Sequence, residues 1–149
     1  MRALVCHDIS DDFSGVSVRD LPLPIPAPGE VRLRIKAASL NFPDLLLCQG
    51  MYQLKLDPPF TPGMDTSGEI DAIGEGVSGF DIGDAVVAGM RFGGLSEYVC
   101  VPAEGLRKKP TNMSYAEAAS YQVAYLTAYV ALVRRGNLQA GETLLVHGA

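Results

Sequence analysis

A mainly β fold with a few helices is what this sequence predicts, on three observations. Sixteen glycines and ten prolines in 149 residues favour a turn-rich chain. In VRLRIKAASL, Val31, Leu33, Ile35 and Ala37 alternate with Arg32, Arg34 and Lys36, the period of a strand with one buried and one wet face. Short apolar runs recur at close intervals between Gly-rich turns, as in a small barrel or sandwich. The length suits a single-domain core, and hydrophobic residues make up 48% of the chain.

Met1 to Asp8 reads as a first short strand and residues 15–20 as a second extended piece. LPLPIPAPGE sets prolines at alternate positions, which excludes helix and predicts an extended segment closed by a Pro28-Gly29 turn. The alternating strand follows. In NFPDLLLCQG the rhythm changes: Asn41 can cap, Pro43 suits a first turn, Asp44 complements the dipole and Gly50 can end the element. A helix over residues 43–49 is expected. TPGMDTSGEIDAIG, AVVAG and GLSEYVCVPA read as further strands. Ser114-Tyr115-Ala116-Glu117 has capping-box form and opens a helix through about Ala119. A longer helix over residues 122–135 has Gly136 as its expected C′ residue. Val123, Ala124, Leu126, Ala128, Val130, Ala131 and Leu132 surround it, so burial on several sides is expected. Thr143 to His147 then predicts an apolar strand leading to Gly148 and Ala149.

Charge and composition narrow the partners. A net charge of −5 argues against nucleic acid or an anionic membrane surface, since both need basic patches. No apolar run approaches the roughly 20 residues of a membrane span. Cys6, Cys48 and Cys100 lie far apart without C-x-x-C spacing, and read as free thiols in a reducing cytoplasm.

GEGVSG, residues 74–79, fits the G-x-G-x-x-G pattern of a pyrophosphate loop. That pattern needs a helix after the glycines. Here FDIGDAVVAG follows, with Gly83 and a β-type run, and Glu75, Asp81 and Asp84 place negative charge where phosphates would sit. It reads as a turn between antiparallel strands. Gly148-Ala149, after an apolar strand, is the better candidate for the opening of a phosphate loop.

Three stretches, SLNFPDLLLCQGMY, FTPGMDTSGEIDAIGEGVSGFDIGDAVV and AYLTAYVALVRRGNLQAGETLLVHGA, together resemble the medium-chain dehydrogenase/reductase superfamily. The likeness is to its zinc-free branch of quinone oxidoreductases (the zeta-crystallin type) and enoyl thioester reductases. It implies a GroES-like, partly open β-barrel substrate domain over residues 1–120. Residues 121–149 would then be a linking helix and the first strand of a Rossmann domain that lies beyond this sequence. It also places GEGVSG at a structural turn of the family, and VHGA before a glycine-rich loop.

The positions matching the family's catalytic zinc ligands are Asn41, Met64 and Val123, which make no competent zinc set, so no metal is expected. The cysteine-rich lobe of the zinc enzymes is replaced by AGMRFGGLSEY. What remains is hydride transfer from NADPH to a quinone or an α,β-unsaturated carbonyl compound, which needs a donor at the acceptor oxygen. Tyr52 matches the tyrosine that enoyl thioester reductases use there; packing of a loop tyrosine against the barrel is the alternative. Asn41 and Thr127 match positions near the nicotinamide, and Gly148 and Ala149 would begin the phosphate loop. Capping for Asn41 and a bond to the helix backbone for Thr127 are the structural alternatives. The resemblance also implies a homodimer for the full-length enzyme, whereas this chain alone is expected to be inactive. The rival reading is a non-catalytic β-barrel module that self-associates through exposed apolar surface.

Overall fold

The computed structural model describes residues 1–147, so Gly148 and Ala149 lie outside the described residues. A two-stranded antiparallel sheet pairs β1 (Arg2–Cys6) with β2 (Val16–Asp20). A five-stranded antiparallel sheet is built from β3 (Glu30–Ser39), β4 (Asp65–Ile73), β5 (Ala85–Gly89), β6 (Tyr98–Pro102) and β7 (Arg107–Lys108). Its order is β6-β3-β4-β5-β7, so β6 and β7 are unjoined edges and the barrel is partly open. Single bridges from Ala3 to Ser96 and from Cys6 to Phe60 tie β1 to the larger sheet's loops.

The alternation that predicted β3 sets its faces. Val31 and Leu33 are fully buried with Ile70, Val86, Ala88, Val101 and Leu106 in the barrel core. The opposite face is an ion-pair row more than a solvated one. Arg32 grips Asp71 through two hydrogen bonds of 2.8 and 3.1 Å, and Arg34 and Lys36 converge on Glu69 at 2.7 and 3.2 Å. Strand register brings these partners together, since Arg34 faces Glu69 across the β3–β4 ladder.

Helix α1 (Phe42–Cys48) starts one residue earlier than its sequence signals suggest. Asp44 closes its first turn by accepting from the Asn41 backbone N–H at 2.8 Å. Helix α2 (Tyr115–Tyr121) carries the expected capping box: Ser114 Oγ accepts from the Glu117 N–H, and Glu117 accepts from the Ser114 N–H at 2.8 Å. It docks on the sheet through Ala118 and Ala119, with Ser67 Oγ donating to the Tyr115 carbonyl and Tyr115 Oη donating to Glu69 at 3.1 Å.

Three expectations at the C-terminal end are corrected. The chain stays helical over residues 122–135, but with widened i→i+5 turns at Gln122–Leu126 and Val130–Arg135. This helix is exposed, not buried: Tyr125 and Leu126 are 65% and 57% accessible, and no described element covers its outer face. Gly136 keeps right-handed backbone, and Asn137 instead takes the positive φ of 50° that its short amide side chain tolerates. Residues 143–147 form no strand, because a strand needs a ladder partner and none of the described residues provides one. GEGVSG, in contrast, is the expected turn between β4 and β5. It is held to the Pro28-Gly29 turn by the Gly29 N–H donating to the Glu75 carbonyl at 2.8 Å.

Candidate functional site around Tyr52

Tyr52 is delivered to its place by the end of α1. Gly50 takes φ 67°, and a Cβ there would sit 2.9 Å from Ile9 Cγ2, so the turn requires glycine. The Met51 and Tyr52 N–H groups then both donate to the Leu46 carbonyl, at 2.8 and 3.2 Å, which folds the chain back over the helix. The half-buried Tyr52 ring packs on a second apolar cluster formed by Cys6, Leu47, Cys48, Phe60 and Met64. Beside it opens a cleft of about 540 Å³ lined by Tyr52, Gln53, Leu54, Lys55, Met64, Met90 and Arg91. The Met90 N–H donates to the Met64 carbonyl at 2.8 Å, fixing both methionines in the wall.

The cleft therefore combines an apolar wall with one phenol and two cationic side chains. Neither Lys55 nor Arg91 is in an ion pair among the described residues. Sequence reasoning missed both residues and Met90. Lys55 lies in the irregular stretch after Tyr52 and Arg91 in the short AGMRFGG loop, and neither stretch has a period that predicts facing.

Two carboxylates, Asp44 and Asp65, are buried. Asp44 accepts from the Asn41 and Gly63 N–H groups at 2.8 and 2.9 Å, and burial still raises its carboxyl above the ordinary value. Asp65 accepts from the Val123 N–H at 2.9 Å, while burial, helped by the charge of Asp44, pushes its carboxyl up to about 6. Both carboxylates thus act on backbone groups. Cys6 and Cys48 share the apolar cluster, and burial with the neighbouring Cys6 pushes the Cys48 thiol up to about 12, leaving it a neutral, unreactive group.

The other sequence-selected residues are dispersed. Asn41 Nδ2 donates to Ser39 Oγ at 2.9 Å, and Asn41 precedes α1 as its cap residue. Thr127 lies on the exposed helix in a separate surface cleft of about 560 Å³ with Leu126, Val130, Ala131 and Arg135. Its hydroxyl bonds to no helix carbonyl among the described residues. The Tyr52 and Thr127 clefts share no lining residue. Of the positions matched to zinc ligands, Met64 and Val123 pack in the Tyr52 cluster, whereas Asn41 is tied to Ser39. Among the described residues no three His, Cys, Asp or Glu side chains gather as a metal set. A larger hollow of about 760 Å³ lies by the GEGVSG turn. Glu30 and Glu104 line it along with a single cation, Arg107, and the only helical element on its described wall is the one 3₁₀ turn at Ala103–Gly105, too short for a phosphate-binding helix terminus, so it does not suit a pyrophosphate.

Residues 27–111 match the alcohol dehydrogenase GroES-like domain. The human synaptic vesicle membrane protein VAT-1 homolog-like is 41% identical over 127 residues, covering 85% of this chain and 30% of that protein. Its crystal structure superposes with a TM-score of 0.87 and 36% identity over 93% of this chain and 44% of that one. Rat quinone oxidoreductase-like protein 2 is 36% identical over 148 residues, 99% of this chain and 41% of its own length. A quinone oxidoreductase from Thermus thermophilus, solved alone and with NADPH, has a TM-score of 0.77 and 38% identity over 90% of this chain and 41% of that one. This chain thus spans less than half the length of each. With a GroES-like match over more than half of its residues and the open antiparallel barrel that goes with it, the chain belongs to the alcohol dehydrogenase GroES-like family of the medium-chain dehydrogenase/reductase superfamily.

Proposed function

We propose that this chain is the substrate-binding half of a zinc-independent, NADPH-dependent oxidoreductase that reduces quinones or α,β-unsaturated carbonyl compounds. The observation that carries the reading is the cleft that sets the Tyr52 phenol beside Lys55 and Arg91 against an apolar wall. The names of the quinone oxidoreductase relatives, one of them solved with NADPH, support the substrate and cofactor classes. The three free cysteines support a reducing, cytoplasmic setting.

A reduced nicotinamide, when bound, would supply the hydride. On this chain Asn41 and Thr127 would hold it, each presenting a polar side chain near the surface, with Gly148 and Ala149 opening its phosphate loop. As hydride reaches an electron-poor carbon, negative charge gathers on the acceptor oxygen. The Tyr52 hydroxyl donates a hydrogen bond to that oxygen and can pass its proton on. Lys55 and Arg91 stabilise the same charge, and the Met64 and Met90 wall keeps water from weakening the attraction. Asn41, Met64 and Val123 offer an amide, a thioether and no donor side chain, a set without the thiolates and imidazoles that hold catalytic zinc.

The test is NADPH consumption by the intact enzyme with an enone or a quinone before and after exhaustive chelation. Turnover unchanged by chelation is the expected result; activity that is lost and restored by zinc overturns the zinc-independent mechanism. A second reading, self-association, is favoured by the exposed helix that carries Tyr125, Leu126, Tyr129, Val130 and Val133. A full-length homodimer is compatible with both.

A further inference from the structure

We infer that the Tyr52 cleft continues into an apolar groove that takes the aliphatic tail of the substrate, so that the natural acceptor is an enone or quinone with an alkyl chain. This inference rests on the reading of the Tyr52 cleft as the substrate site.

The groove has a volume of about 470 Å³, within the range of small-molecule sites. It lies where the barrel fails to close, between the end of β5 with its following loop and the edge strand β6. Ala88, Val101 and Leu106, all members of the barrel core and at most 6% accessible, form its inner wall. Half-buried Val99 and the more exposed Phe92 form its sides. Met90 and Arg91 line both this groove and the Tyr52 cleft. Entry from the reactive end is thus past a flexible thioether, with a guanidinium at the junction and the carboxylate of Glu104 as the other charged lining group.

The order of chemistry along this path is polar, then apolar. A carbonyl held by Tyr52 would stand beside Lys55 and Arg91, and a chain attached to it would run past Met90 onto core side chains. A water-filled groove against Ala88, Val101 and Leu106 gains nothing from hydrogen bonding, whereas each methylene that replaces water there is favourable. A short acceptor would occupy only the first compartment.

The experiment titrates the isotopically labelled chain with butanone, heptanone and nonanone, the saturated products of enone reduction, which lack the electrophilic double bond. Nuclear magnetic resonance follows Tyr52 and Met64 in the cleft, and the Val99, Val101 and Leu106 methyls in the groove. Butanone is expected to move the cleft signals alone. Nonanone should also move the groove methyls and bind more tightly, by about fourfold for each methylene that enters. Val99→Phe should remove that gain and leave butanone binding unchanged. Equal affinity for the three ketones, or groove methyls that stay still with nonanone while Tyr52 responds, overturns the tail groove and leaves the substrate-site reading intact. No response at Tyr52 to any ketone overturns both. The length series on the unaltered chain decides the matter even where Val99→Phe does not fold.

Discussion

Asp65 is fully buried beside Asp44, and no cation pairs with it among the described residues. Its bond to the Val123 N–H only partly offsets the burial that raises its carboxyl from 3.8 to about 6. Ionising Asp65 therefore costs more in the folded chain than in the unfolded one. The penalty is present above about pH 6 and is relieved as pH falls toward 3.8, an effect of at most about 3 kcal/mol. Glu69 works the other way. Hydrogen bonds from Arg34, Lys36 and Tyr115 hold its carboxyl down to about 2, so its contribution is complete above 4.5 and lost as pH falls through 2. Urea midpoints should accordingly rise from pH 7 to about 5 and fall again below about 4, and Asp65→Asn should flatten the first limb only. An unchanged slope in that variant would assign the acid stabilisation to another group.

At the scale of elements, α2 shows how a local sequence signal becomes a docking device. Its capping box starts the helix where Tyr115 can reach Glu69 and where Ala118 and Ala119 meet the sheet. Ser114→Ala should lower stability by about 1 kcal/mol by freeing the Glu117 N–H, measured as a shift in the urea midpoint. The barrel was legible in the sequence through its longer strands, as in the alternating Val31–Leu33 face of β3, and through the glycines of its turns, whereas the two-residue β7 is too short to carry a period and was not foreseen. The helix over residues 122–135 was legible as helix but not as exposed. Apolar composition reports what a surface needs, and the partner that would meet the need is not encoded in the helix itself. The expected strand over residues 143–147 fails for a related reason, since pairing is a property of two segments. At the site, Tyr52 was legible only through family likeness. Lys55 and Arg91 reach the cleft through loop geometry fixed by Gly50 and by the Met90–Met64 backbone bond.

For the whole molecule, the division of surface is the main feature: a charged, ion-paired barrel exterior at Arg32, Arg34 and Lys36, and an apolar helical face at Tyr125, Leu126 and Tyr129. A face of that kind favours association. Sedimentation of the 149-residue chain should show a concentration-dependent rise in mass, and Leu126→Glu should return it to a monomer. A chain that stays monomeric at all concentrations would remove the self-association reading. The central claim concerns chemistry, and it depends on one hydroxyl. In the full-length protein, Tyr52→Phe keeps the ring on its apolar cluster and removes only the hydroxyl proposed as the donor to the acceptor oxygen. Turnover of NADPH with an enone should fall by about a hundredfold, the size of a lost oxyanion donor, with NADPH affinity unchanged. Turnover equal to that of the unaltered enzyme would contradict the account and leave Tyr52 a packing residue.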